Sequence, residues 1–134
     1  ANEVPQDYVF DIDADGKLVV YANIPHNPTG AGYTRADWEA LLAWADDRDA
    51  TLVCDEAYID LGYNPEMVSV LEVPGWEERC VVLQSVSKGW NATGLRFGWM
   101  VGHPTLIKAV RKVTDVKDSG MFGPSAVGIT TVFR

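Results

Sequence analysis

The stretch KLVVYANIPHNPTGAGYTRADWEALLAWADDRDATLVCDEA, residues 17–57, decides the fold. It opens with KLVVYANIP, a run rich in β-branched and apolar residues that reads as a buried strand, and HNPTGAG then breaks the chain. Thr34 is a good helix N-cap with Asp37 three residues on, and Trp38, Leu41, Leu42 and Ala45 recur at i, i+3, i+4 and i+7. Those spacings line one apolar face of a helix of about three turns. TLVCDEA, residues 51–57, follows as a second short apolar strand. Strand, helix and strand in succession, with strands apolar along most of their length, predict a mostly parallel sheet covered by flanking helices on both faces. The fold class is α/β.

Downstream, a loop punctuated by Pro65, Pro74 and Gly75 leads to ERCVVLQSVS, residues 78–87, read as a third strand, and RFGWMVG, residues 96–102, reads as a fourth. His103 precedes Pro104 at a first helical position, and Leu106, Ile107, Val110 and Val113 give a second helix its apolar face. Upstream, the first sixteen residues read as acidic and turn-like, with DADG at 13–16 marking a tight turn. The chain opens on Ala1 rather than Met, and GITTVFR, residues 128–134, ends it inside an apolar segment. Both ends are therefore expected to be cuts within something longer. No repeat, heptad pattern or linker is visible, so residues 1–134 read as one domain or part of one.

Composition narrows the function. An apolar fraction of 47% over 134 residues suffices for a real core. The 19 Asp and Glu outnumber 11 Lys and Arg, and the formal charge of -8 repels nucleic-acid phosphates and anionic membrane surfaces, so neither is an expected partner. No apolar run is long enough to span a bilayer. Cys54 and Cys80 sit in apolar runs without CxxC or Cys/His spacing, which predicts reduced core residues and fits a cytoplasmic setting. His26 and His103 have no partners at metal-ligand spacing, and His26 is read either as a loop residue or as one supporting a site residue from behind. No metal is expected. Asp60, Glu56 and Glu66 read as surface acids, and Phe97, Trp90 and Trp99 as packing aromatics beside glycines.

In an open parallel sheet the ligand crevice lies beyond the carboxyl ends of the strands. The first strand here runs into NPTG (Asn27 to Gly30), the second into DEAY (Asp55 to Tyr58) and the third into SVSK (Ser85 to Lys88), with Arg96 eight residues beyond the lysine. Each has an ordinary reading when taken alone. NPTG is a common turn, Asp55 could cap a following helix, and an exposed Lys or Arg is usually only solvated. Polar groups of suitable chemistry at three successive strand ends are far harder to obtain by chance.

In this order and at these separations, NPTG, DEAY and SVSKGWNATGLRFGW resemble the class I/II aminotransferases of the fold-type I pyridoxal-phosphate family, with the similarity running from about residue 18 to 134. The resemblance implies the middle of that family's large domain, with three parallel strands and RFGWMVG as an antiparallel neighbour. It implies pyridoxal 5'-phosphate as cofactor, an amino acid and a 2-oxo acid as substrates, and a homodimer when full-length. Lys88 would form the Schiff base with the cofactor aldehyde and then act as the base that moves a proton between the substrate α carbon and the cofactor. Asp55 would face the pyridine nitrogen and keep it protonated. Tyr58 and Asn27 would donate to the cofactor's phenolic oxygen, and Arg96, with the hydroxyls of Ser85 and Ser87, would hold the phosphate.

The stretch VKDSGMFGP, residues 116–124, is similar to bacterial members acting on diaminopimelate or aspartate. The family's upstream phosphate loop, its ring-stacking aromatic and its small domain have no counterpart in these residues. A lyase or synthase of the same fold would use the same cofactor residues, and a non-catalytic remnant serving as an interaction module is the alternative from a different class.

Overall fold

The computed structural model describes residues 8–12, 16–118, 120 and 122–132. Five strands form one sheet in sequence order: β1 (Tyr8–Ile12), β2 (Leu18–Asn23), β3 (Thr51–Asp55), β4 (Cys80–Ser85) and β5 (Gly98–Gly102). The central three are parallel, with Asn23 opposite Asp55 and Asp55 opposite Leu83, so the carboxyl ends of β2 and β3 lie level. β5 runs antiparallel to β4, as expected for RFGWMVG. It can approach that closely because Gly102 lacks a side chain: a Cβ there would lie 2.5 Å from the Cys80 carbonyl oxygen.

β1 corrects the reading of the first sixteen residues as turn-like. It pairs antiparallel with β2 from Tyr8 opposite Ala22 to Ile12 opposite Leu18. YVFDI is a short β-forming run, and the acids around it hid the signal. Of the expected DADG turn, residues 13–15 lie outside the described residues, and Gly16 has a φ of 80°.

Between β2 and β3, α1 (Arg35–Asp47) begins where its sequence says it should. The Thr34 hydroxyl accepts from the Asp37 amide at 3.3 Å, while Asp37 accepts from the Thr34 amide at 2.9 Å and from its hydroxyl at 2.6 Å. Those bonds hold the Asp37 carboxyl below its usual range. The helix buries Trp38, Leu41 and Ala45 against Val20, Ala22, Leu52, Cys54, Cys80 and Val82 of the sheet. Trp38 keeps its indole satisfied inside the core by donating to the Val68 carbonyl at 2.9 Å. Cys54 and Cys80 are both buried thiols of this core. Their contact, together with burial, pushes the Cys54 thiol up and keeps it neutral.

The opposite face of the sheet is less closed than the apolar strands suggest. Val81 is buried there, while Val19, Tyr21, Val53 and Leu83 remain half-buried. The burial of β3 alternates residue by residue, because α1 covers only one of its faces. The third strand ends at Ser85 rather than at residue 87, since Ser85 caps a short helix, α2 (Val86–Gly89), by accepting from the Ser87 amide. α3 (Pro104–Lys117) starts after His103 as its Pro104 signals, but its expected apolar face is only partly covered, with Val113 62% exposed. A further helix, α4 (Gly123–Val132), was not expected; its β-branched and glycine-containing sequence is a poor helix former, yet it buries Ser125 and Ile129 four residues apart. None of the helices among the described residues is long and apolar enough to cross a membrane.

Candidate active site

The polar residues that follow β2, β3 and β4 converge. Asn27 lies in the turn after β2, where the Ile24–Pro25 and Asn27–Pro28 peptide bonds are cis. Its side-chain amide donates to the Tyr58 hydroxyl at 3.2 Å. The Lys88 ammonium, carried by α2, stands over the Tyr58 ring at 5.5 Å from its centroid. Asp55 ends β3, and its Oδ1 accepts the Ala57 amide at 3.1 Å. Asn27, Asp55, Tyr58 and Lys88 therefore share one end of the sheet.

α2 is held close to this end by a steric condition. A Cβ on Gly89 would come within 2.4 Å of Asp60 Oδ2, so glycine next to Lys88 lets the helix settle on the Ile59–Leu61 turn that follows Tyr58. The segment after α2 then folds back. The Phe97 carbonyl accepts from the Val86 amide at 3.4 Å and from the Ser85 hydroxyl at 3.3 Å. Thr93 donates its hydroxyl to the Ser87 carbonyl at 3.0 Å, and Arg96 Nη1 donates to the Thr93 carbonyl at 3.1 Å.

Arg96 is thus tied back toward the serines, with an exposed side chain. Its φ of 50° places it in the left-handed region, unusual for a residue other than Gly or Asn. Ser85 is more committed than its sequence suggests. Its oxygen accepts from the Ser87 amide at 3.1 Å and its one proton goes to Phe97, which leaves Ser87 as the better placed hydroxyl for a ligand.

Glu56 corrects the surface reading. It is only 1% exposed. Its carboxylate accepts from the Ser69 hydroxyl at 2.6 Å, the Val70 amide at 2.8 Å and the Gln84 side-chain amide at 3.2 Å. These partners lie on a distant loop and on β4, so nothing local in DEAY announces the burial. Burial pushes the Glu56 carboxyl up, and the three donors oppose that. Because the folded value lies above the ordinary one near 4.5, the stability this group contributes is full below that pH and is lost as pH rises through the folded value. Glu56→Gln, which mimics the protonated form, is expected to flatten this dependence in melting curves taken across the acid range. Glu56→Ala leaves three donors unpaired in a dry site and should cost about 3 kcal/mol or more by denaturant titration.

Sequence reading also missed Tyr21 and Asn23. Tyr21 donates its hydroxyl to Asp55 Oδ2. Burial first, and then the Asp55 carboxylate, hold the Tyr21 phenol well above its usual range. Asn23 donates to the Asp55 carbonyl at 3.2 Å and accepts the Asn27 amide at 3.0 Å, joining two of the strand ends. The available signal was alternation: in a strand that buries Val20 and Ala22, residues 21 and 23 face the other way.

The other residues singled out do not join this group. His26 Nδ1 contacts the Thr29 hydroxyl at 2.8 Å within its own turn, and His103 caps α3. Glu66 is exposed. Trp90 and Trp99 line a cleft of about 510 Å³ with Asp60, Gln84 and Gly89, without Asn27, Tyr58 or Lys88 among its lining residues. Phe97 packs on Trp99 with ring centroids 6.2 Å apart.

This arrangement has counterparts among known proteins. The family profile for aminotransferase class I and II matches residues 7–128, beginning ahead of KLVVYANIP. An LL-diaminopimelate aminotransferase of Nitratidesulfovibrio vulgaris is 35% identical over 124 residues, covering 87% of this chain and 32% of that protein. An arginine–pyruvate transaminase of Pseudomonas aeruginosa is 43% identical over 84 residues, covering 63% of this chain and 21% of its own length. Among solved structures, a probable N-succinyldiaminopimelate aminotransferase from Thermus thermophilus superposes with a TM-score of 0.75 at 34% identity, over 80% of this chain and 29% of that one. The chain spans about a third of the length of the first of these relatives. A profile match over most of the chain, on a sheet whose strand ends gather the same motifs that carried the resemblance, leaves one assignment: the chain belongs to the aminotransferase class I and II family.

Proposed function

We propose that residues 1–134 are part of the large domain of a pyridoxal 5'-phosphate-dependent aminotransferase, which moves an amino group between an amino acid and a 2-oxo acid. The convergence of Asn27, Asp55, Tyr58 and Lys88 at one end of the sheet carries this reading. The side chains present suit the cofactor. They offer a carboxylate anchored from behind, a hydroxyl and amide side by side, a primary amine next to them, and a guanidinium and a serine hydroxyl tied to the same loop. Family members generally depend on this cofactor, which supplies an aldehyde that captures amines and a pyridinium ring that takes up the electron pair freed at the substrate α carbon.

Each residue then has a task. Lys88, the primary amine beside Tyr58, would hold the cofactor through its aldehyde and would serve as the base that moves a proton at the substrate α carbon. Asp55 accepts the hydrogen bond of the ring N–H and keeps that proton in place. Tyr58 already accepts from Asn27, so its own proton is available for the phenolic oxygen of the ring. Arg96 and Ser87, with Ser85 in a supporting place, bind the phosphate.

The test is amino transfer by the full-length protein carrying this chain, supplied with pyridoxal 5'-phosphate and a panel of amino acids and 2-oxo acids. The expected result is a new amino acid formed in equal amount to the 2-oxo acid released. Cofactor-dependent elimination or decarboxylation without transfer would overturn it in favour of a same-fold lyase. Diaminopimelate and arginine, named in the relatives, are the first donors to try.

A further inference from the structure

We propose that Tyr21 is a positioning residue for Asp55, fixing the carboxylate that the cofactor's ring nitrogen meets; the inference rests on the cofactor reading above and extends it to a residue outside the NPTG, DEAY and SVSK motifs. Asn23 pairs directly with Asp55 across β2 and β3, and Tyr21 pairs with Val53 one step back on the same face. From that diagonal place a tyrosine ring is long enough to bring its hydroxyl to the end of β3. The hydroxyl donates to Asp55 Oδ2, and the Ala57 amide donates to Oδ1 at 3.1 Å. Each carboxylate oxygen thus has one donor behind it, which fixes the plane of the group. An ionised carboxylate has about four lone-pair sites, so capacity for the ring N–H remains.

Asn23 completes the support from the same strand. By bonding the Asp55 carbonyl and the Asn27 amide, it holds the backbone of β3 in register with the turn that carries Asn27. β2 therefore fixes Asp55 twice, through its side chain by residue 21 and through its main chain by residue 23. Tyr21 remains a donor over the whole neutral range, because burial and the neighbouring carboxylate disfavour its ionisation. Phenylalanine at 21 would keep the ring packed on the half-buried sheet face and remove only the donor.

The experiment separates an effect through Asp55 from simple packing. Two ligands are titrated calorimetrically into the full-length protein: pyridoxine 5'-phosphate, which has the ring nitrogen but no aldehyde, and its carbocyclic counterpart with CH in place of the nitrogen. Wild type should prefer the nitrogen ligand, and Tyr21→Phe should reduce that preference about tenfold while leaving the carbocyclic ligand unchanged. Tyr21→Leu, a second way of removing the donor, should give the same ratio. In an Asp55→Asn background the Tyr21 substitution should have no further effect. Equal weakening of both ligands, or an unchanged preference in Tyr21→Phe, would overturn the proposal while leaving the cofactor reading standing. Wild-type protein that bound neither ligand would overturn the cofactor reading, and this proposal with it.

Discussion

Lys88→Ala is expected to abolish covalent attachment of the cofactor. In wild-type protein incubated with pyridoxal 5'-phosphate, borohydride should fix a label on the peptide containing residue 88, and in the variant that peptide should be unlabelled. The placement of the amine argues for this outcome. α2 carries Lys88 exposed at the end of β4, with its ammonium over the Tyr58 ring and Gly89 holding the helix against the turn after Tyr58. The contact with the ring is worth about 0.5–1 kcal/mol at an exposed site, so losing it should barely affect folding. Noncovalent binding should survive through Asp55, Ser87 and Arg96. Amino transfer should fall by a factor on the order of 10²–10⁴ from the missing proton transfer alone. Arginine at 88 should not restore it, since a guanidinium neither forms the imine bond nor gives up its proton. Cofactor label on Lys108, Lys112 or another lysine of the folded protein would sink the assignment.

The parts of this molecule that were legible in sequence are those fixed by short-range chemistry. α1 was readable because Thr34 and Asp37 cap it within one turn, and β3 because an apolar run stops at Asp55. The relation between Ser85 and Arg96 could be suspected from glycine-rich spacing, yet the bonds that return the loop pass through Thr93 and Phe97, which carry no signature of their own. β1 and Glu56 were illegible for a different reason. Edge pairing of YVFDI depends on β2 being its neighbour, and the burial of Glu56 depends on Ser69 and Gln84, 13 and 28 residues away. Charge dominated the local reading at both places, and tertiary context overrode it. Tyr21 lies between these cases, since alternation gives the direction of its side chain but not its partner.

Asp55→Asn should separate charge from shape at the same site. Asparagine can still accept the Ala57 amide through its carbonyl oxygen, and the Tyr21 hydroxyl can turn from donor to acceptor to meet the new amide. The end of β3 should therefore keep its form, and cofactor should still bind. What disappears is the negative charge that, on the proposed reading, would hold a proton on the ring nitrogen. Loss of one such electrostatic group typically costs about 3–4 kcal/mol of transition-state stabilisation, a factor on the order of 10²–10³ in rate. The effect should appear in single-turnover deamination, measured at saturating cofactor so that weaker binding cannot imitate it. Thermal melting of the same variant should move little, because the carboxylate is half-buried and its local bonds are replaced rather than lost. A single-turnover rate near that of wild type would mean that Asp55 does not meet the ring nitrogen. Its bonds to Tyr21 and Ala57 would then be structural, closing the end of β3 as an ordinary cap does.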